Sequence, residues 1–173
     1  MSVLVLKAMR TVKLLLLAGI MTGMMLITSA CGKKQSAPSA HYEAVLDTLV
    51  SSVNVQDTES YLRCFTSDAR QAYASSENYD PELAKDLAQK NEDKSLKMQY
   101  TTLEHTELDS SGIAKLQSEH AEKYSRRIEV TKAYQLKVEF SSGAEDKQMQ
   151  LTVFNNGSSW LIEGDVIDNF FDK

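Results

Sequence analysis

From position 41 onward the apolar residues follow two different periods. Tyr42, Val45, Leu46, Leu49, Val50 and Val53 step by three and one, which is one stripe on a 3.6-residue helix. Asp57 or Thr58 can cap a second helix, whose stripe runs through Tyr61, Leu62, Phe65, Ala69, Ala72 and Tyr73 with a break near Thr66-Ser67-Asp68. Asp80-Pro81 is a start signal, a cap followed by proline at the first helical position, and Leu83, Ala84, Leu87 and Ala88 form the face that follows. Residues 91–95 are a polar break.

The period then shortens. Residues 97–109 read as a strand, with Met98, Tyr100 and Leu103 out of phase; a bulge between Tyr100 and Leu103 accounts for the slip. Ser110-Ser111-Gly112 leads into a short helix with Ile113, Leu116, His120 and Tyr124 on one face. Residues 128–140 alternate strictly. Ile128, Val130, Lys132, Tyr134, Leu136, Val138 and Phe140 share one face, and a mostly polar set that includes Glu129, Gln135, Lys137 and Glu139 shares the other. After a turn at 141–146, Met149, Leu151 and Val153 form the inner face of the next strand. Asn155-Asn156-Gly157-Ser158 is a hairpin signal, because Asn and Gly accept positive φ. Trp160 and Ile162 face inward on the last strand, and Val166, Ile167, Phe170 and Phe171 can dock back on the core. Helices first, then antiparallel strands, predict an α+β domain with the helices on one face of the sheet.

Two stretches carry a resemblance. Thr131 to Val138, followed by a hairpin and Gly157-Ser158-Ser159-Trp160-Leu161-Ile162, resembles small bacterial lipoproteins with an NTF2-like (cystatin-like) domain of unknown function. The likeness covers residues 41–166 and rests on hydrophobic alternation and the Gly-x-x-Trp strand start. It implies N-terminal helices packed on a curved antiparallel sheet that forms a cone. The superfamily contains enzymes and non-catalytic binding modules alike, so it does not fix a function.

Residues 1–30 are different in kind. They contain Lys7, Arg10 and Lys13 and neither Asp nor Glu, and Leu14 to Ile27 is a 14-residue apolar run. A bilayer-spanning helix needs about 20 such residues, so the run fits the apolar core of an export signal. Leu26-Ile27-Thr28-Ser29-Ala30-Cys31-Gly32 follows and resembles the lipobox of bacterial lipoproteins, although Thr28 holds the place where the motif prefers Leu. The resemblance implies a diacylglyceryl group on the Cys31 thiol and cleavage before it. An ordinary cleaved signal with an incidental cysteine stands as one alternative. A retained single-span anchor is another; it would have to bury Arg10 and Lys13. Residues 31–40 then read as a flexible tether, with Lys33 and Lys34 beside the headgroups. Gly32 follows Cys31, where an Asp would resemble an inner-membrane retention signal of two-membrane bacteria.

Charge narrows the partners. With the three cations of residues 1–30 set aside, 16 Lys and Arg face 24 Asp and Glu, a formal charge of −8. An acidic surface repels nucleic-acid phosphates, so DNA and RNA are not expected partners. His41, His105 and His120 fall in no metal-ligand spacing, and the chain has neither a phosphate loop nor a nucleophile elbow. No cofactor, metal or catalytic residue is assigned. Cys64, beside Leu62 and Phe65, reads as a small buried hydrophobe. His105 and Tyr100 would resemble an acid–base pair only if a bulge brought them to one face. Lys132 is the charged residue on an otherwise apolar strand face. Either it is a ligand-binding cation in a conical pocket with Tyr100, Tyr134 and Trp160, or it sits at a strand end and snorkels outward. The expectation is a membrane-anchored, extracytoplasmic, non-enzymatic binding module for an envelope protein, peptide, polymer or small ligand. A pocket enzyme (hydrolase, dehydratase or isomerase) is the alternative.

Overall fold

A computed structural model describes residues 41–89, 97–142, 146–164 and 166–167. The expected export segment, Cys31, the expected tether, the polar break at 91–95, and Phe170 and Phe171 lie outside the described residues. Helix α1 (Glu43–Asn54) buries Val45, Leu46, Leu49, Val50 and Val53, the stripe its spacing predicts. Asp57 caps α2 (Thr58–Arg63) by accepting from the Ser60 backbone N–H, and the Ser60 hydroxyl also donates to it. These two bonds hold the Asp57 carboxyl below the usual carboxylate range. The expected break is real: Thr66 Oγ1 accepts from Ala69 N at 3.1 Å and starts α3 (Ser67–Ala74). Asp80 Oδ1 accepts from Glu82 N at 2.8 Å, and α4 (Leu83–Gln89) follows with Leu83, Ala84 and Leu87 buried.

Strands β1 (Gln99–Glu107), β2 (Lys132–Ser141), β3 (Asp146–Asn155) and β4 (Trp160–Glu163) form one antiparallel sheet in the order β1-β2-β3-β4. Helix α5 (Ser110–Tyr124), capped by Asp109, joins β1 to β2. With five helices described, the domain is α+β. The predicted bulge is present. Thr102 pairs with Val138 and Glu104 with Lys137, so Leu103 is left over and exposed.

The helices α1 to α4 pack on the face that carries Leu136, Val138, Phe140, Leu151, Val153 and Ile162. The side chain of Asn54 ties α1 to the start of β1, donating to Met98 O at 2.9 Å and accepting from Met98 N at 2.8 Å. The short β4 is not left open. Phe65 forms a parallel bridge with Ile162, whose N–H donates to Cys64 O at 2.8 Å. The tail docks at Ile167, whose carbonyl accepts from Tyr61 Oη at 2.8 Å.

Two expectations need correction. Helix α5 does not join the others: Ile113 and Leu116 pack with Ala133, Phe154 and Leu161, which point from the opposite face of the sheet. That face is polar along Gln135, Lys137, Glu139, Gln148 and Gln150, and becomes apolar only at this end, where α5 finds its partner. The alternation at Ile128 and Val130 is not strand either. β2 begins at Lys132, and both residues pack into the α5 cluster. Ser125 ends α5 at φ 56°, and the chain must return across the helix before it can pair with β3. Among the described residues no helix is long and apolar enough to cross a membrane.

Candidate functional site

The sheet register assembles one end of the domain. Lys132 pairs with Asn155 and Asn155 with Trp160, so the start of β2, the end of β3 and the start of β4 lie side by side. Tyr134 follows Lys132 on the same face and pairs with Glu107 at the end of β1. From α1 comes Tyr42, at the cap of the helix. The rings form a continuous contact: Tyr42 lies 5.9 Å from His105 and 5.0 Å from Tyr134, and Tyr134 lies 5.9 Å from Trp160, centroid to centroid.

Lys132 Nζ stands 5.1 Å from the Tyr134 ring centroid and 3.3 Å from Glu107 Oε2. Tyr134 Oη donates to the same Glu107 oxygen at 3.1 Å. The Tyr134 hydroxyl, and then the Glu107 carboxylate, hold the Lys132 ammonium above its usual range. Its side chain is 45% exposed and lies at the first residue of β2, so it reaches water at a strand end as well as facing the aromatic rings. Burial, followed by the neighbouring Glu43 charge, pushes the Tyr42 phenol up.

Three of the four expected pocket residues, Lys132, Tyr134 and Trp160, therefore share one end. Tyr100 does not. It pairs with Phe140, six residues along β2 from Tyr134, or about 20 Å at the rise of a strand. Its hydroxyl donates to Asp47 Oδ1 at 2.8 Å, and its phenol is held well above the ordinary range by burial first and by that carboxylate second. The bulge at Leu103 puts His105 and Tyr100 on one face, opposite Leu136 and Phe140. Four residues of β2 still separate those partners, about 14 Å, and His105 packs on Tyr42 and Tyr134 instead.

Trp160 is 9% exposed, and its indole Nε1 is buried with no hydrogen-bond partner among the described residues. An unpaired buried donor costs about 1–3 kcal/mol. Beside the indole lies a cavity of about 290 Å³ between α1, the end of α2 and the β3–β4 turn. That turn is rigidly built: Gly157 takes φ +92°, and Asn156 Oδ1 accepts from the N–H groups of Ser158 and Ser159.

Two polar residues have other tasks. Cys64 is buried, its Sγ lies 3.5 Å from Ser60 O, and burial pushes the thiol up to about 12. At pH 8 about one thiol in ten thousand would be ionised. In a Cys31→Ala chain, where Cys64 is the remaining cysteine, iodoacetamide is expected to leave the native protein unlabelled for hours and to label it within minutes in denaturant. Rapid native labelling, read by mass, would refute the buried assignment. His120 is fully buried between Asp68 and Glu163. Its helical spacing marked it as packed, but nothing in the sequence pointed to its two carboxylate partners, which come from α3 and β4. Tyr42 and Glu107 were likewise missed as members of the aromatic end, because only the β1–β2 register and the α1 docking bring them there. Among the described residues no group of three or more His, Cys, Asp or Glu is placed to hold a metal ion.

No known protein family, curated protein or solved structure matches this chain.

Proposed function

We propose that this chain is a lipid-anchored extracytoplasmic binding protein, with Cys31 as the acylated residue and an NTF2-like cone as its working domain. The observation that carries the reading is the juxtaposition of Lys132, Tyr134 and Trp160, joined by Tyr42, at one end of the sheet beside a cavity. Aromatic faces with a few fixed polar groups suit recognition. The titratable groups support binding over catalysis. Lys132, Glu107 and Tyr134 satisfy one another, His105 lies exposed against the Tyr42 and Tyr134 rings away from Tyr100, and burial holds the Cys64 thiol in its protonated form. The anchor is supported by the 14-residue apolar run that ends at Ile27, three small residues before Cys31. Two or more acyl chains hold a protein at a bilayer where one does not, since each buried methylene contributes about 0.8 kcal/mol.

The test is the intact mass of protein taken from its native membrane, beside a Cys31→Ala variant. The expected mature chain starts at Cys31 and carries diacylglyceryl mass, and the variant loses both the mass and the membrane association. An unmodified chain that starts elsewhere would overturn the anchor.

A further inference from the structure

We infer that the cavity between α1 and the β3–β4 turn is a binding site for a small organic carboxylate with an apolar body. The inference deepens the binding-protein reading and does not depend on the lipid. The cavity is not the interior between helices and sheet, which Leu46, Leu49, Val53, Leu136, Val138 and Val153 fill to exclusion of solvent. It lies outside them, against the solvent side of α1, where Thr48 faces it.

Its lining is asymmetric in chemistry. Val45 and the Trp160 ring supply apolar wall, Thr48, Ser158 and Ser159 supply hydroxyls, and Arg63 supplies a positive charge. Neither Asp nor Glu is among its described lining residues. Thr48 Oγ1 already donates to Ala44 O and Ser158 Oγ to Asn156 Oδ1, so the guanidinium and the Ser159 hydroxyl are the donors the lining offers a ligand. A site with a guanidinium and no carboxylate favours an anion, and a planar carboxylate matches the fork of an arginine. The apolar wall asks for a hydrocarbon body. A volume of about 290 Å³ corresponds to about ten waters of liquid, and so to a ligand of about ten non-hydrogen atoms. The buried, unpartnered indole N–H of Trp160 is the second observation. A small tilt of the ring would present this donor to a ligand oxygen. Arg63 is not idle in the structure as it stands, since it forms an exposed ion pair with Glu59 one helical turn earlier. Such pairs are weak and screened. Glu59 therefore acts as a competitor that a ligand carboxylate displaces.

Trp160 is the chain's one tryptophan, so its emission reports on this cavity directly. The full chain, purified in detergent, is titrated with phenylacetate, with the neutral phenylacetamide and with the cationic phenethylamine. Phenylacetate is expected to change the Trp160 emission saturably, and the other two are expected to do so about tenfold more weakly or not at all. Arg63→Ala should weaken phenylacetate about tenfold or more, and Glu59→Ala should strengthen it by freeing the guanidinium. Both positions are exposed, so these variants fold. Lys137→Ala, on the polar opposite face of the sheet, should leave the titration unchanged. Equal responses to all three probes or indifference to Arg63→Ala would each overturn the inference. So would the absence of any response, which leaves the anchor reading intact because that reading stands on the mass of residue 31.

Discussion

His120→Gln is expected to cost the domain about 3–5 kcal/mol, because two buried carboxyl groups each lose a hydrogen-bond partner, at about 1–3 kcal/mol apiece. The side chain is 0% exposed, with Nδ1 2.7 Å from Glu163 Oε1 and Nε2 3.2 Å from Asp68 Oδ2. Each ring nitrogen faces one carboxyl group, so the imidazole bridges the two. The two carboxylates are themselves about one-tenth exposed, and Asp68 also takes Arg126 Nη1 at 3.0 Å. Glutamine cannot span the same two oxygens in the ring's geometry, and two like charges are left facing one another in a poorly hydrated space. The three residues come from α3, α5 and β4, so the substitution also unfastens α5, which otherwise holds the sheet through a small apolar cluster. Thermal unfolding should show the midpoint falling by about 10 °C or more. Adding Asp68→Asn and Glu163→Gln to the variant should return part of the loss, because the uncompensated charges go with them. A midpoint within about 2 °C of the parent for His120→Gln alone would defeat the assignment.

Phe65→Ala is expected to cost a similar amount, about 3–5 kcal/mol, through lost burial and the cavity that remains. Phe65 is 1% exposed, packs on Tyr61 at 5.4 Å between centroids, and forms the bridge to Ile162 that covers the edge of β4. It sits where helix, sheet and tail meet, since Tyr61 also holds Ile167. Neighbours drawn from three parts of the chain cannot all relax into the space. Urea unfolding should show a lower midpoint at an unchanged slope. The control is Leu103→Ala at the bulge, where the side chain is 41% exposed and little should change. If the two variants unfold together, the packing account of the α2–β4 junction fails.

The helical stripes were legible because burial of one face imposes a local period. The residues of α1 that the spacing singles out, Val45 to Val53, are the buried ones. The cap at Asp57 and the break near Thr66 were legible for the same reason, since a helix start is settled within four residues. Even the bulge was visible, as a slip of phase before Leu103. The strand alternation misled at Ile128 and Val130. Period two says only that neighbours point to opposite sides, and it cannot say that the chain has not yet joined the sheet. The candidate site divided along the same line. Lys132, Tyr134 and Trp160 share one end because the hairpin at residues 156–159 sets Asn155 opposite Trp160, and a hairpin is short in sequence. Tyr100 was misplaced because the direction of β1 against β2 depends on where α5 returns the chain, some 25 residues later.

The sequence by itself determined most of the elements, the buried stripes of the first helices and the acidic balance of the chain after residue 30, because periods, caps and charge are properties of neighbours along the chain. Only the tertiary structure decided that α5 covers the opposite face of the sheet, that His120 meets Asp68 and Glu163, that Tyr42 and Glu107 join the aromatic end, and that a cavity opens beside Trp160. Each of these depends on register and on the packing of segments far apart in sequence, and those are fixed by the sum of many weak contacts that no local pattern encodes.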